Sequence, residues 1–235
     1  MNRVFNILKL ELNKPKNIRN LFITIFAFLV LSCFTNDVSK VPNNFLGFIP
    51  YVIIISSFYI LGVEFESKTD KIVFSSKYTR TEILISKLLS VLIKSIIVAI
   101  VFLVVNYAIN IYLKVPISNI LTIKQIVNII TSIILYSFTM TCIIFLITLV
   151  TKNGKVTGVI MYILFFDLMN SLLTNALGSS SISKTTAYLI ENTPFYAANV
   201  GVANGYYSLT QVAFMLAFGI VTFIASSIFL NRKSI

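Results

Sequence analysis

Six apolar stretches, each near the length a bilayer demands, constrain this chain more than anything else in it. They run over residues 21–35, 45–63, 88–113, 126–150, 156–177 and 209–230, and a helix needs about 20 residues to cross the hydrocarbon layer. The first is the shortest, because Asn36-Asp37 ends it early and residues 18–20 must be recruited at its start. With 57% hydrophobic and 11% charged residues, the chain lies far from the roughly 45–50% apolar and ~25% charged balance of soluble domains. The expected fold class is therefore an all-α membrane protein of six transmembrane helices, a single membrane domain over residues 1–235.

Composition also excludes chemistry. There is no His, only two Cys, Cys33 and Cys142, and only 8 acidic residues, so zinc sites, His-based triads and Cys-His dyads are unavailable. The cysteines read as small packing residues within spans.

The formal charge of +11 could signal nucleic acid or a membrane surface, and the positions of the charges decide. Arg3, Lys9, Lys14, Lys16 and Arg19 precede the first span; Lys68, Lys71, Lys77, Arg80 and Lys87 follow the second; Lys152 and Lys155 follow the fourth; Arg232 and Lys233 close the chain. The opposite side holds only Lys40, Lys114, Lys124 and Lys184. The positive-inside rule then puts both termini in the cytoplasm of a multi-pass plasma-membrane protein, and nucleic-acid binding is not needed to explain the charge.

Ahead of the first span, Val4, Phe5, Leu8 and Leu12 share one helical face and Arg3, Asn6, Lys9 and Asn13 the other. This describes an interfacial helix within residues 1–17 lying on the membrane surface, with Pro15 turning the chain inward. A signal peptide is the alternative, weakened by the poor cleavage pattern around Leu31-Ser32-Cys33. The long outer loop, residues 178–208, contains a Ser-capped segment at 183–191, a break at Thr193-Pro194 and a second apolar turn. It reads either as two short extracellular helices dipping into the membrane or as a solvated loop.

The loop over residues 64–87 carries the most information. Residues 64–74 can form a short helix just inside the membrane, 75–80 a turn, and Thr81 with Glu82 in the first turn starts the next helix without capping-box spacing. A charged, partly apolar helix projecting from a membrane domain is a docking surface for a cytoplasmic partner or simply a solvated face. Glu64, Thr69, Arg80, Glu82-Ile83 and Ser86-Lys87 follow one another here in a pattern that resembles the permease subunits of type-2 ATP-binding cassette exporters. The departure is Ser67-Lys68, where that family often has Gly. In its general character the chain is similar to Gram-positive exporters of amphipathic peptides, such as phenol-soluble modulin exporters and lantibiotic immunity systems.

The resemblance implies two permeases, a second copy or a paralogue, with two cytoplasmic ATPase subunits that bind ATP and Mg. It implies that Glu64, Phe65, Glu66, Thr69, Ile72 and Arg80 couple to the ATPase, Phe65 and Ile72 as apolar anchors and Glu64, Glu66 and Arg80 as a polar rim. The substrates it implies are amphipathic peptides, antimicrobial or cytolytic, or lipid-like molecules. The chain itself binds no ATP: its one Gly-Lys, Gly154-Lys155, is followed by Val156 and has Leu149 where a phosphate-binding loop needs Gly. A non-pumping immunity or sensor protein is the rival reading, and an intramembrane enzyme a weaker one.

Polar residues inside the spans need a reason, since a charge at mid-bilayer costs about 2.5–3.5 kcal/mol on insertion scales. Lys94 lies about 10 Å past Lys87 at ~1.5 Å per residue and either snorkels to the interface or pairs with Asp167. Asp167, roughly 18 Å past Lys155 by the same rise, either makes that pair or lines a substrate path with Asn170 and Ser171. Asn106, Asn110 and Asn128 read as interhelical glue.

Overall fold

A computed structural model describes residues 2–69, 73–74, 78–116, 120–164, 168–179 and 182–232. It is 86% helical, and no strand occurs among the described residues. The helices in chain order are α1 (Asn2–Leu12), α2 (Pro15–Ser32), α3 (Val41–Glu66), α4 (Arg80–Tyr112), α5 (Ile123–Thr151), α6 (Gly154–Tyr162), α7 (Leu168–Leu177), α8 (Lys184–Asn192), α9 (Pro194–Asn204) and α10 (Leu209–Arg232). A 3₁₀ turn, Val38–Lys40, leads into α3.

Four of these, α3 with its preceding turn, α4, α5 and α10, are long and apolar enough to cross a membrane. In the other two expected spans the structure describes shorter helical segments. α2 offers an apolar helix over Asn17–Ser32, ended near the Asn36-Asp37 pair. In the stretch expected as a fifth span, α6 runs into a π-type turn at 163–164 and α7 begins at Leu168, the residues between lying outside those described. Asp167 lies outside the described residues, as do Ile72, Lys71, Lys77 and Lys233.

α5 is the axis of the bundle. Of its most apolar window 72% is buried, against 22% for α10, and α3, α4, α6, α9 and α10 all pack on it. Its inner side is built from Ile133, Tyr136, Met140, Ile144, Phe145 and Leu149, with α3 answering through Phe45, Ile49, Ile53 and Leu61. A helix apolar all round belongs inside a bundle or in lipid, and α5 satisfies the first condition. α2 packs on α3 and α1 on α4.

Local signals set the helix starts. α4 begins at Thr79, whose hydroxyl accepts from the Glu82 backbone N–H while the Glu82 carboxylate accepts from the Thr79 N–H. This corrects the expected start at Thr81, since Thr79 and Glu82 have the three-residue spacing of a capping box. Thr122 and Gln125 do the same for α5. Asn153 accepts from the N–H groups of Lys155 and Val156 to start α6 directly after α5, with Lys152 in the left-handed region at φ 54°. Ser183 caps α8 through the Thr186 N–H.

On α1, Ile7, Leu8 and Glu11 are buried against the bundle, Val4 and Leu12 are half-buried and Phe5 is exposed. The expectation sorted residues by polarity and so left Glu11 out, but a helix turned toward α4 must present whatever α4 can pair with.

Candidate functional site

The base of the loop that follows α3 is held by a cluster of four charged side chains from four places in the chain. Lys87, on the second turn of α4, is fully buried. Its Nζ donates to Glu11 Oε1 at 3.0 Å, to Glu64 Oε1 at 2.9 Å and to the Ile60 carbonyl at 3.0 Å. An ammonium group has three donors, so Lys87 is saturated. Lys14, between α1 and α2, donates to the same two carboxylate oxygens at 2.9 and 3.0 Å from the more exposed side. Two carboxylates and two ammonium groups balance, the condition under which buried charge is tolerated. Burial pushes the Lys14 amine down, but hydrogen bonds to Glu11 and Glu64 and their charges outweigh it, leaving its pKa raised above the ordinary 10.5.

The cluster continues into the loop. Glu64 Oε2 accepts from the Thr69 hydroxyl at 3.0 Å and the Glu64 carbonyl accepts from the Thr69 N–H at 2.9 Å, with Lys68 in the left-handed region at φ 57°. Phe65 is half-buried with its ring 6.2 Å from that of Phe74. Phe74 is itself buried. Glu66 and Lys68 are exposed. Arg80 is half-buried and donates to the Leu230 carbonyl of α10 at 2.6 Å.

The structure thus brings Glu64, Phe65 and Thr69 together with Glu11, Lys14 and Lys87, and separates their expected roles. Glu64, expected on the polar rim, is 5% exposed and faces the cluster; Glu66 and Lys68 form the outer surface instead. Arg80 faces α10. Glu11 and Lys14 stand three residues apart, but a reading of local spacing does not join them to Lys87 and Glu64, 76 residues from Glu11 and 50 from Lys14. The available signal was the placing of two acids, Glu11 and Glu64, beside apolar neighbours in a chain with so few.

A second feature opens beside the cluster. Gly62 of α3 and Gly154 of α6 meet backbone to backbone: a Cβ on Gly62 would stand 2.5 Å from the Gly154 Cα. This close approach leaves a groove of about 400 Å³. Phe58, Tyr59, Val63, Val159 and Tyr162 give it apolar walls, and Glu66 and Lys155 stand at one end, where Glu66 Oε1 accepts from the Lys155 N–H at 3.3 Å. An apolar trough with a polar end matches an amphipathic molecule.

The described intramembrane polar residues lie at separate places. Lys94 is 4% exposed and lines a crevice between α2 and α3. Asn170 and Ser171 sit on α7, which packs on α8 and α9 and buries no residue fully. The Asn110 amide donates to the Asn106 side chain and carbonyl within α4, and Asn128 lines a pocket beside Tyr206 and Tyr207. Among the described residues no group of His, Cys, Asp and Glu could hold a metal.

No protein-family model matches the chain, and no curated protein matches it.

Proposed function

We propose that this chain is the membrane-spanning subunit of an ATP-driven exporter of hydrophobic or amphipathic substrates, with energy supplied by a separate ATPase docking on the loop at 65–74. The observation that carries this reading is the Thr69–Glu64–Lys87–Glu11 chain of contacts. It joins the loop to α3, α4 and α1 through hydrogen bonds centred on the fully buried Lys87, so a displacement imposed on the loop is passed to several membrane helices at once. A loop serving only as a connection has no need of such an anchorage. The pattern of residues 64–87 that resembles type-2 exporter permeases supports the same reading.

In this mechanism ATP closes the partner ATPase pair, and the resulting movement enters through the exposed Glu66 and Lys68 and the Phe65–Phe74 pair. The cluster transmits it to α1, α3 and α4, and α3 carries it to the groove shared with α6. The groove takes the apolar part of the substrate and Glu66 with Lys155 its polar part. A second copy or a paralogue completes the path.

The test is purification in mild detergent of the tagged chain expressed with its neighbouring genes. A soluble ATPase should accompany wild type and be lost from a Glu66→Lys, Lys68→Glu variant, while Lys40→Glu, on the opposite side, retains it. Absence of an ATPase from wild type rules the reading out.

A further inference from the structure

At the end of the bundle away from the loop, α8, α9 and the start of α10 enclose another concave site. Gln211 on α10 lies about 30 Å, at ~1.5 Å per residue, from Leu230, whose carbonyl accepts from Arg80. The pocket has a volume of about 350 Å³, and its character is the reverse of the apolar groove between α3 and α6. Val200 and Gly201 apart, every residue lining it has a polar side chain, and Glu191 is the one charged residue among them. In a chain with 19 basic and 8 acidic residues, a pocket that holds a carboxylate and no Lys or Arg runs against the general balance. Among the described residues Glu191 makes no ion pair. Lys184, the one basic residue of α8, stands two turns before it, about 10 Å at the same rise, and does not line the pocket.

Two aromatic rings accompany the carboxylate. Tyr188 precedes Glu191 on α8 at the three-residue spacing that puts two side chains on one face, and it is 47% exposed. Tyr206 is 58% exposed, and the end of α9 sets its place. Its N–H donates to the Gly201 carbonyl and the N–H of Gly205, at φ 73°, to the Val202 carbonyl, the paired bonds of a Schellman turn. The next residue, Tyr207, is tied back to α9 by its hydroxyl, which donates to the Ala198 carbonyl at 2.6 Å. Asn192 is buried in the pocket wall, with its amide donating to the Tyr188 carbonyl at 2.7 Å. The Gln211 amide joins α10 to α8 by donating to the Glu191 carbonyl at 3.2 Å. These bonds hold the frame of the pocket through backbone carbonyls, and the Glu191 carboxylate takes part in none of them.

We propose that this pocket binds an ammonium group. Glu191 supplies the opposite charge, and Tyr188 and Tyr206 supply rings, whose faces attract a cation within about 6 Å. The rings select an organic cation over a metal ion, for which one carboxylate is a sparse ligand set. Two sources present such a group: an amine-bearing lipid headgroup at the membrane interface, or a soluble amine such as a lysine side chain of a peptide. The site is independent of the exporter reading.

The test uses the full-length protein, purified with whatever subunits accompany it. Its thermal unfolding is followed first in maltoside micelles, which bring no ammonium group, against butylammonium chloride, with sodium chloride at equal ionic strength and uncharged butanol as controls. It is then followed in nanodiscs of phosphatidylglycerol with increasing phosphatidylethanolamine. A ligand held by the folded state raises the midpoint in a saturable way. A saturable rise with butylammonium identifies a soluble amine as sufficient, and a rise confined to phosphatidylethanolamine identifies the headgroup. In either case Glu191→Gln and Tyr206→Leu should each raise the half-saturating concentration by up to about fivefold, while Tyr206→Phe, which keeps the ring, should leave it nearly unchanged. Should Glu191→Gln not fold, the contrast between Tyr206→Leu and Tyr206→Phe decides. A midpoint indifferent to both amines, a rise that butanol matches, or responses equal to wild type in Glu191→Gln and Tyr206→Leu overturn the proposal.

Discussion

Replacing Lys87 by Met tests whether the buried cluster is a structural node. The ammonium group makes hydrogen bonds of 2.9 to 3.0 Å to Glu64, Glu11 and Ile60 from a fully buried position. Methionine fills the stem's volume but removes all three donors. Glu11 and Glu64 then share Lys14 alone, whose side chain is 46% exposed and so contributes through a more screened environment. Breaking a buried pair from one side costs about 3–5 kcal/mol, whereas replacing every member with neutral groups is often close to neutral. Lys87→Met should therefore lose about 3–5 kcal/mol in reversible unfolding in mixed micelles, and expose residues 2–12 to protease as α1 leaves α4. The triple variant Glu11→Gln, Glu64→Gln, Lys87→Met should recover most of that loss. The reasoning is refuted if Lys87→Met costs less than about 1 kcal/mol, or if the triple variant is no better than the single one.

Gly62→Ala must push apart the α3 and α6 backbones, because its Cβ would meet the Gly154 Cα at 2.5 Å; a loss of about 1–3 kcal/mol is expected, whereas Gly47→Ala, with nothing within 4 Å, should be neutral or stabilising. Thr79→Ala removes the capping box of α4 and should cost ~1 kcal/mol, measured in the same micelle assay, while Thr81→Ala costs less. The raised Lys14 pKa gives a contribution fully present below the ordinary 10.5 and lost as pH rises through the folded value above it. Protease resistance of α1 should thus hold across neutral pH and fall only in strong alkali, and Lys14→Met should remove that alkaline step.

The long apolar runs of α3, α4, α5 and α10 were legible in the sequence because hydropathy over 24 or more residues leaves few alternatives in water or lipid. The junction of α5 and α6 has a local cause, the capping of α6 by Asn153. Apolarity alone read residues 156–177 as one span, and nothing in it marked the change from α to π geometry at 163–164. The start of α4 was misjudged by two residues because Thr79 and Thr81 are both competent caps, and only the Glu82 spacing, measured from Thr79, separates them. The burial of Ile7 and Glu11 on α1 was not legible, because the inner face of a short amphipathic helix is set by what it docks against. Glu64 and Lys87 stood out in the loop, but their joining to Glu11 and Lys14 depends on α1 folding back along α4, a long-range packing choice that no local pattern records.

The most direct measurement of the proposed function is ATP-driven movement of a fluorescent cationic amphipathic peptide by the purified chain, with its accompanying ATPase, in sealed phospholipid vesicles. Wild type should move the peptide only with hydrolysable ATP, and Lys87→Met should keep the ATPase bound and hydrolysing while peptide movement falls. Movement independent of ATP, or unchanged by loss of the Lys87 cluster, would contradict the coupling of loop to membrane helices proposed for this protein.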